Sequence, residues 1–273
     1  MGYFIITSYG RTANFWLASL LNLHDHIFCA YGPDREPSKL PGSATSRENN
    51  IKHHGDGDLF ARMAVDDYFD LLEGLGDYQI YGSIHAFTLA QALAGTKRDY
   101  RLANLIRHPV KRIESFRHWW KWEIGFNPVA RGNYRAKFTA AEADAQALVS
   151  HFGIDFEVDD NWLFFNAVMN MAWDAADLDL DMRHARMEDM TADMDYLGGL
   201  LGHLLGGEAD LDWESMGRGK SDKMNQGAAA QLGPEEIYQS WEEWRRIFFQ
   251  LAIDNFALRE RYEKAGYVIP PPD

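Results

Sequence analysis

An apolar run of β-branched and aromatic residues, 3–7, begins almost at the first position and is broken at Gly10. Helical spacing follows at once, with Phe15, Trp16, Leu17, Leu20 and Leu21 apolar across 14–21. Runs of this kind read as buried strands. The unit then recurs. Residues 79–83, 102–106 and 182–187 are further strand candidates, and helical spacing follows them at 87–93, from Pro109 onward and at 190–205. Pro109 suits a helix start, where a missing N–H costs nothing. Strands alternating with helices predict an α/β fold with a central, mostly parallel sheet flanked by helices.

The remaining segments fit around that alternation. Residues 30–57 carry Pro33, Pro37, Pro41, Gly32, Gly42, Gly55 and Gly57, with Ser and Asn between, and read as a long irregular segment. Loops of that length inside a domain are usually functional. An amphipathic helix is predicted over 58–75, helices over 138–152 and 161–176, a Gly-rich polar stretch over 206–233 and one long final helix over 234–265. No internal repeat or low-complexity linker divides the chain, so a single domain over 1–273 is expected.

Composition excludes several classes. The 273 residues are 46% hydrophobic and 25% charged, which is globular rather than disordered. With 27 Lys and Arg against 41 Asp and Glu, the net charge is −14, which argues against a nucleic-acid partner. It leaves room for an anionic ligand, because a few arginines can focus positive potential locally. The single cysteine, Cys29, allows no intramolecular disulfide and reads as a small buried hydrophobe. No basic region followed by a long apolar stretch opens the chain, and no window approaches about 18 apolar residues. A cytoplasmic protein without a membrane span is expected. His24, His26, His53 and His54 fall in loop segments without the spacing of a metal site, so no metal is expected.

Two segments carry candidate chemistry. The first, Ser8-Tyr9-Gly10-Arg11-Thr12-Ala13-Asn14-Phe15-Trp16-Leu17, leaves a strand and opens a helix. That arrangement turns backbone N–H groups and the positive end of the helix toward one spot, where a phosphate is stabilised. Arg11 adds a bidentate cation, and Thr12 and Asn14 add polar side chains. The GxxxxGK[ST] pattern of nucleoside triphosphate sites is absent. The second is Arg107-His108-Pro109 at a strand end, with Ser115 eight positions after Arg107 on the following helix. A guanidinium and a hydroxyl at the carboxyl edge of a parallel sheet suit a second phosphate. Either segment taken alone also fits an ordinary strand–helix turn with a solvated arginine.

Together the two segments resemble the sulfotransferase family that uses 3′-phosphoadenosine 5′-phosphosulfate (PAPS). Ser8, Tyr9, Arg11, Asn14, Trp16 and Leu17 match that family's 5′-phosphosulfate loop, and Arg107, Pro109 and Ser115 match its 3′-phosphate signature. His85, 22 residues before Arg107, stands where the family places its catalytic base. Arg186-Met187-Glu188-Asp189-Met190 resembles a later strand end, and Gly217-Arg218-Gly219-Lys220 resembles a loop that closes over the 3′-phosphate. The resemblance spans nearly the whole chain in order. It implies a P-loop-like sulfotransferase fold and transfer of a sulfuryl group from PAPS to a hydroxyl, or second to it an amine, of a small-molecule, lipid or glycan acceptor.

The implied roles follow residue by residue. Arg11 and His85 would be catalytic, Arg11 on the leaving phosphate and His85 on the acceptor's proton. Arg11, Thr12, Ala13, Asn14, Phe15, Trp16, Arg107, Ser115, Met187, Arg218, Gly219 and Lys220 would hold the cofactor. The acceptor pocket would draw on 30–57, on 116–138 with Trp119, Trp120 and Trp122, and on the helix around Trp162. Five positions depart from the family's pattern: Gly10 for proline, Ala13 for glycine, Phe15 for a hydroxyl residue, Met187 for an aromatic and Ser83 for a lysine. Two rival readings share the fold. A P-loop kinase would need a Walker-type lysine and an acidic Mg ligand, neither with an evident match. A nucleotide-binding relative without turnover is favoured by Ala13, Phe15 and Met187.

Overall fold

Gly2–Thr7 forms β1, the central strand, with Phe4, Ile5 and Ile6 fully buried. The computed structural model describes residues 1–8, 12–31, 64–74, 76–84, 96–126, 150–154, 159–169, 171, 177–207 and 232–272. These divide between two compact units, one made of 1–107 and 181–225, the other of 108–180 and 226–273.

The first unit holds the sheet. After β1 come α1 (Asn14–Leu21), β2 (Ile27–Tyr31), α2 (Val65–Glu73), β3 (Ile80–Ile84) and β4 (Tyr100–Ile106). The sheet is five-stranded, ordered β2-β3-β1-β4-β5, with β5 formed by Arg183–Arg186, and every pairing is parallel. This is the α/β architecture that the alternation predicts. One face is covered by α1 and by α5 (Met187–Ala192) and α6 (Met194–Leu205), through Leu17, Leu21, Met190, Leu197 and Leu201 against Phe4, Ile6, Ala103 and Leu105. The other face is covered by α2, through Val65, Tyr68, Phe69 and Leu72 against Ile5, Phe28 and Tyr81.

Period-two alternation in β1 sends Phe4 across the sheet surface toward β3, where its register partner is Gly82. A Cβ built on Gly82 would lie 1.8 Å from Phe4 Cζ, and the ring is fully buried with nowhere to turn. Gly82→Ala is therefore expected to lower stability by about 1–3 kcal/mol through overpacking. A urea titration of the variant with an unchanged midpoint would show that the ring relocates without cost.

At the amino edge of this sheet, α2 is fixed by polar side chains. Tyr3 Oη donates to Glu73 (2.8 Å) and Tyr100 Oη to Asp66 (2.9 Å), while Arg98 pairs with Asp66, Asp70 and Glu73. Desolvation raises the Asp66 pKa, but the Lys97 amide, the Tyr100 hydroxyl and Arg98 together outweigh it and hold the carboxyl below its ordinary value.

The second unit holds α3 (Pro109–Phe126), α4 (Asp159–Met169), α7 (Pro234–Gln239), α8 (Glu243–Asn255) and α9 (Leu258–Lys264). Its core is aromatic. Phe164 meets Trp241 at 4.9 Å and Trp244 at 5.5 Å, both edge-on, and Phe165 stacks on Phe248 at 4.9 Å.

Four boundaries differ from the sequence reading. Strand β2 begins at Ile27, before the segment read as irregular from residue 30. Asn22 closes the α1–β2 turn as a strand neighbour would, accepting from Cys29 N (2.9 Å) and donating to Cys29 O (2.8 Å). The helix read over 190–205 starts earlier, at Met187, and is divided by Asp193, whose extended backbone and carboxylate cap α6 at the Asp195 and Tyr196 amides. The single helix read over 234–265 is three helices. One straight helix there would run about 48 Å. Instead the chain bends at Trp241–Glu242, which lets Trp241 turn inward and donate its indole N–H to Glu114 (2.7 Å), and again at Ala257, which takes φ 50°. The described part of the helix read over 58–75 is α2, and that of the helix read over 161–176 is α4, beginning at Asp159. The helix read over 87–93, most of 138–152, and nearly all of 30–57 and 206–233 lie outside the described residues. Among the described residues, no helix is long and apolar enough to cross a membrane.

Candidate active site

The carboxyl end of β1 runs into a loop whose described side chains are bound to one another. Thr12 Oγ1 donates to Asn14 Oδ1 (2.8 Å), and Asn14 Nδ2 donates to Ser8 Oγ (3.1 Å). Ser8 and Thr12 hydroxyls are 2.6 Å apart. Thr12 has one hydroxyl hydrogen, already given to Asn14, so Ser8 donates to Thr12 and the ring of three bonds closes. All three side chains are buried. Thr12 and Asn14 thus shape the loop from inside and lead into the amides of the first helical turn.

Those amides belong to α1. Ala13 is its N-cap residue, at φ 60° and ψ 25°, and provides no side-chain cap. This left-handed conformation is costly for any residue with a Cβ, and it falls at the position where the resembling loop has glycine. Trp16, half-buried, packs against the α1 and α6 cluster, and its Nε1 has no hydrogen-bond partner among the described residues. Phe15 lies on α1, but its side chain is outside the described residues, as are Tyr9, Gly10 and Arg11.

Arg107 is half-buried and directly follows β4, which pairs with β1. Phosphate-binding segments on adjacent central strands of a parallel sheet open toward its carboxyl edge. The next residue, His108, lies in the second unit and starts α3 there. Its Nδ1 accepts the Val110 amide (3.3 Å), so the ring hydrogen sits on Nε2, which donates to the Val268 carbonyl (2.9 Å). Ser115 is half-buried on α3 in that same unit. Trp162 is buried on α4, and the side chains of Trp119, Trp120 and Trp122 are outside the described residues.

Met187 is the first residue of α5 rather than the last of the strand, and it is half-buried. Beside it, Arg186 pairs with Asp189 one turn on, and its backbone N–H donates to Tyr196 Oη (2.9 Å). His85 follows β3 directly and, with Arg218, Gly219 and Lys220, lies outside the described residues. Cys29 is fully buried in β2, and burial pushes its thiol pKa well above the ordinary value, so it stays protonated and offers no thiolate nucleophile. Among the described residues, no group of three His, Cys, Asp or Glu is placed to hold a metal ion.

Sequence reasoning overlooked two polar residues inside strands, Asn104 on β4 and His184 on β5, which are 3.4 Å apart between Asn104 Nδ2 and His184 Nδ1. For Asn104, a polar residue in the apolar second half of β4 was the available signal; β5, Arg-His-Ala-Arg, gave none for His184.

No protein-family model matches the sequence, and no curated protein matches it. Among solved structures, the chain is similar to the sulfotransferase domain from the curacin biosynthetic pathway, at 13% identity over 99% of each chain and a TM-score of 0.45. It is also similar to the mouse sulfotransferase SULT7A1 complexed with PAP, at 11% identity over 97% of this chain and 89% of that one, with a TM-score of 0.49. At such identities and scores the likeness carries no argument; the fold rests on the strand order and the parallel pairings.

Proposed function

We propose that this chain is a PAPS-dependent sulfotransferase that transfers a sulfuryl group to a hydroxyl of a small-molecule, lipid or glycan acceptor. The observation that carries this reading is the turn from the central strand β1 into α1. Its buried Ser8–Thr12–Asn14 ring braces a helix start that no Ala13 side chain caps. Such a start stabilises an anion through its amides and dipole. Arg107, just past the neighbouring strand, supplies a cation for a second phosphate, and two phosphates at separate positions are what distinguish PAPS from a simple nucleotide.

The chemistry asks for placement and charge neutralisation more than for covalent help. In the transfer, the acceptor oxygen forms a bond to sulfur as the bond from sulfur to the 5′-phosphate oxygen breaks. Arg11 would neutralise the charge that develops on the leaving phosphate. His85 would receive the acceptor's proton. Thr12 and Asn14 would hold the loop in shape, and Trp16 would present a ring face to adenine.

Adenosine 3′,5′-bisphosphate (PAP), added without Mg²⁺ at about a hundred times its dissociation constant, is expected to stabilise the protein by about 2.7 kcal/mol. That corresponds to a rise in melting temperature on the order of 5 °C, while ATP does little. Equal stabilisation by Mg-ATP would replace this reading with the kinase one, and no response to either would remove the nucleotide site.

A further inference from the structure

Arg107 is the one residue between Ile106, which ends β4, and His108, which leads into α3. His108 is held at its backbone and at both ring nitrogens. Its carbonyl accepts the Arg112 amide (2.9 Å), the first bond of α3. Its Nδ1 accepts the Val110 amide, and its Nε2 donates to the Val268 carbonyl. Pro109 brings no amide, so Val110 carries the first N–H of the helix. An imidazole caps it where Asp, Asn, Ser or Thr is the usual choice. A neutral ring has an acceptor at one nitrogen and a donor at the other, and here the donor reaches a partner 160 positions away.

That partner is itself fixed. Gly266, at φ 89°, turns the chain out of α9, and the Tyr267 amide donates to the Tyr262 carbonyl (2.9 Å). Tyr267 and Ile269 are buried, and the Tyr267 ring meets the His108 ring edge-on at 5.4 Å. The Pro270 carbonyl accepts Gln250 Nε2 of α8 (2.9 Å), a nitrogen that also donates to Tyr238 Oη (3.0 Å). Val268 is 83% exposed between its buried neighbours, so what this position contributes is its carbonyl. Capping alone does not call for an imidazole, and burying one desolvates a second ring nitrogen that must find a partner. What the ring adds is a fixed tie between the 266–270 segment and the residue next to Arg107.

We propose that His108 is a positioning residue for Arg107, and that segment 266–270, acting through it as a strap, sets how well the nucleotide site discriminates for a 3′-phosphate. This rests on the reading above, in which Arg107 meets the second phosphate. A guanidinium grips phosphate through paired N–H groups in a rigid fork, so a small displacement of its backbone costs affinity while its charge is unchanged. His108 acts on the nucleotide through Arg107, so its influence falls on the 3′-phosphate and leaves the 5′ end untouched.

Two measurements on the full chain test it. In ¹⁵N-detected spectra of the imidazoles, His108 is expected as the Nε2–H tautomer. Calorimetric titration then compares PAP with adenosine 5′-phosphate (AMP), which lacks the 3′-phosphate. His108→Asn keeps a cap for Val110, but its amide ends where the ring's Nδ1 lies, short of Val268. It should hold the melting temperature within about 2 °C of wild type, weaken PAP about tenfold and leave AMP within about twofold. His108→Ala loses both cap and tie. It should weaken PAP as much and lower the melting temperature as well. Val268→Thr, which keeps the carbonyl, should match wild type throughout. An Nδ1–H ring in the wild type, equal weakening of PAP and AMP, or a His108→Asn protein that binds PAP as tightly as wild type would overturn the proposal. A wild type that binds PAP no more tightly than AMP, or binds neither, would overturn the second-phosphate reading and the positioning role with it. The ring spectrum would still decide separately whether His108 ties α3 to the 266–270 segment.

Discussion

Asp160→Ala is expected to lower unfolding free energy by about 2–4 kcal/mol, because it leaves two buried guanidinium groups without their shared carboxylate. Arg117 from α3 and Arg245 from α8 both donate to the same oxygen of Asp160, at 2.7 Å and 2.9 Å. Both guanidiniums also lie near the Phe164 ring, with Cζ 5.6 Å and 5.4 Å from its centroid. Glu114 receives Arg117 and the Trp241 indole, and Asn161 accepts from Arg245. Two positive charges thus meet two negative ones around a single aromatic ring. Removal of one negative charge leaves two like charges close together beside that ring. The Arg117 and Arg245 side chains are only 11% and 10% exposed, so water screens them little. Asp160 itself is 29% exposed, which keeps the expected loss below the full cost of breaking a deeply buried pair. Equilibrium urea unfolding measures it. A change under about 0.5 kcal/mol would mean that solvent replaces the carboxylate, and that the packing of Phe164, rather than the ion cluster, holds α3, α4 and α8 together.

The elements most legible in the sequence were those specified by short-range pattern. Helix α1 begins and ends where its apolar spacing begins and ends, and β1, β3, β4 and β5 fall within two residues of the segments read as strands. What escaped was set by contacts between distant residues. The break at Trp241 depends on Glu114, an acceptor 127 positions away. Strand β2 escaped because its Ile-Phe-Cys-Ala-Tyr run is short and adjoins a proline-rich segment, although Asn22 five residues earlier was available to close the turn. Asp193 was a readable signal, an N-cap ahead of an apolar helix, that the continuous periodicity concealed. The candidate site divides in the same way. A strand followed by a phosphate-type turn is local, as is an arginine at a strand end. The inward turn of Thr12 and Asn14 requires the closed ring with Ser8, and the Asn104–His184 contact requires knowing that β4 and β5 are neighbours.

His85→Ala is expected to reduce sulfuryl transfer by roughly 10²–10⁴, the usual contribution of a positioned general base, while PAP affinity stays within a few-fold of wild type. The two effects separate because an imidazole that addresses the acceptor's hydroxyl has no phosphate to hold. Its place in the sequence favours that role: it directly follows β3, which pairs in parallel with β1, so the two strands end at the same carboxyl edge of the sheet. Near neutral pH, imidazole is the side chain best matched to take a proton as the oxygen–sulfur bond forms. The alternative is a packing role at the strand end, and it predicts a different pattern, in which melting temperature and PAP affinity fall together with turnover. Calorimetric PAP titration, thermal unfolding and initial rates with PAPS, measured on the same variant, distinguish the two. A stable, PAP-binding His85→Ala protein with wild-type rates would reject His85 as the base. His85→Gln sharpens the comparison, since it keeps hydrogen-bonding capacity but cannot accept a proton at neutral pH. If turnover depends on basicity, Gln should be as slow as Ala; if it depends only on a hydrogen bond that orients the acceptor, Gln should restore most of the rate.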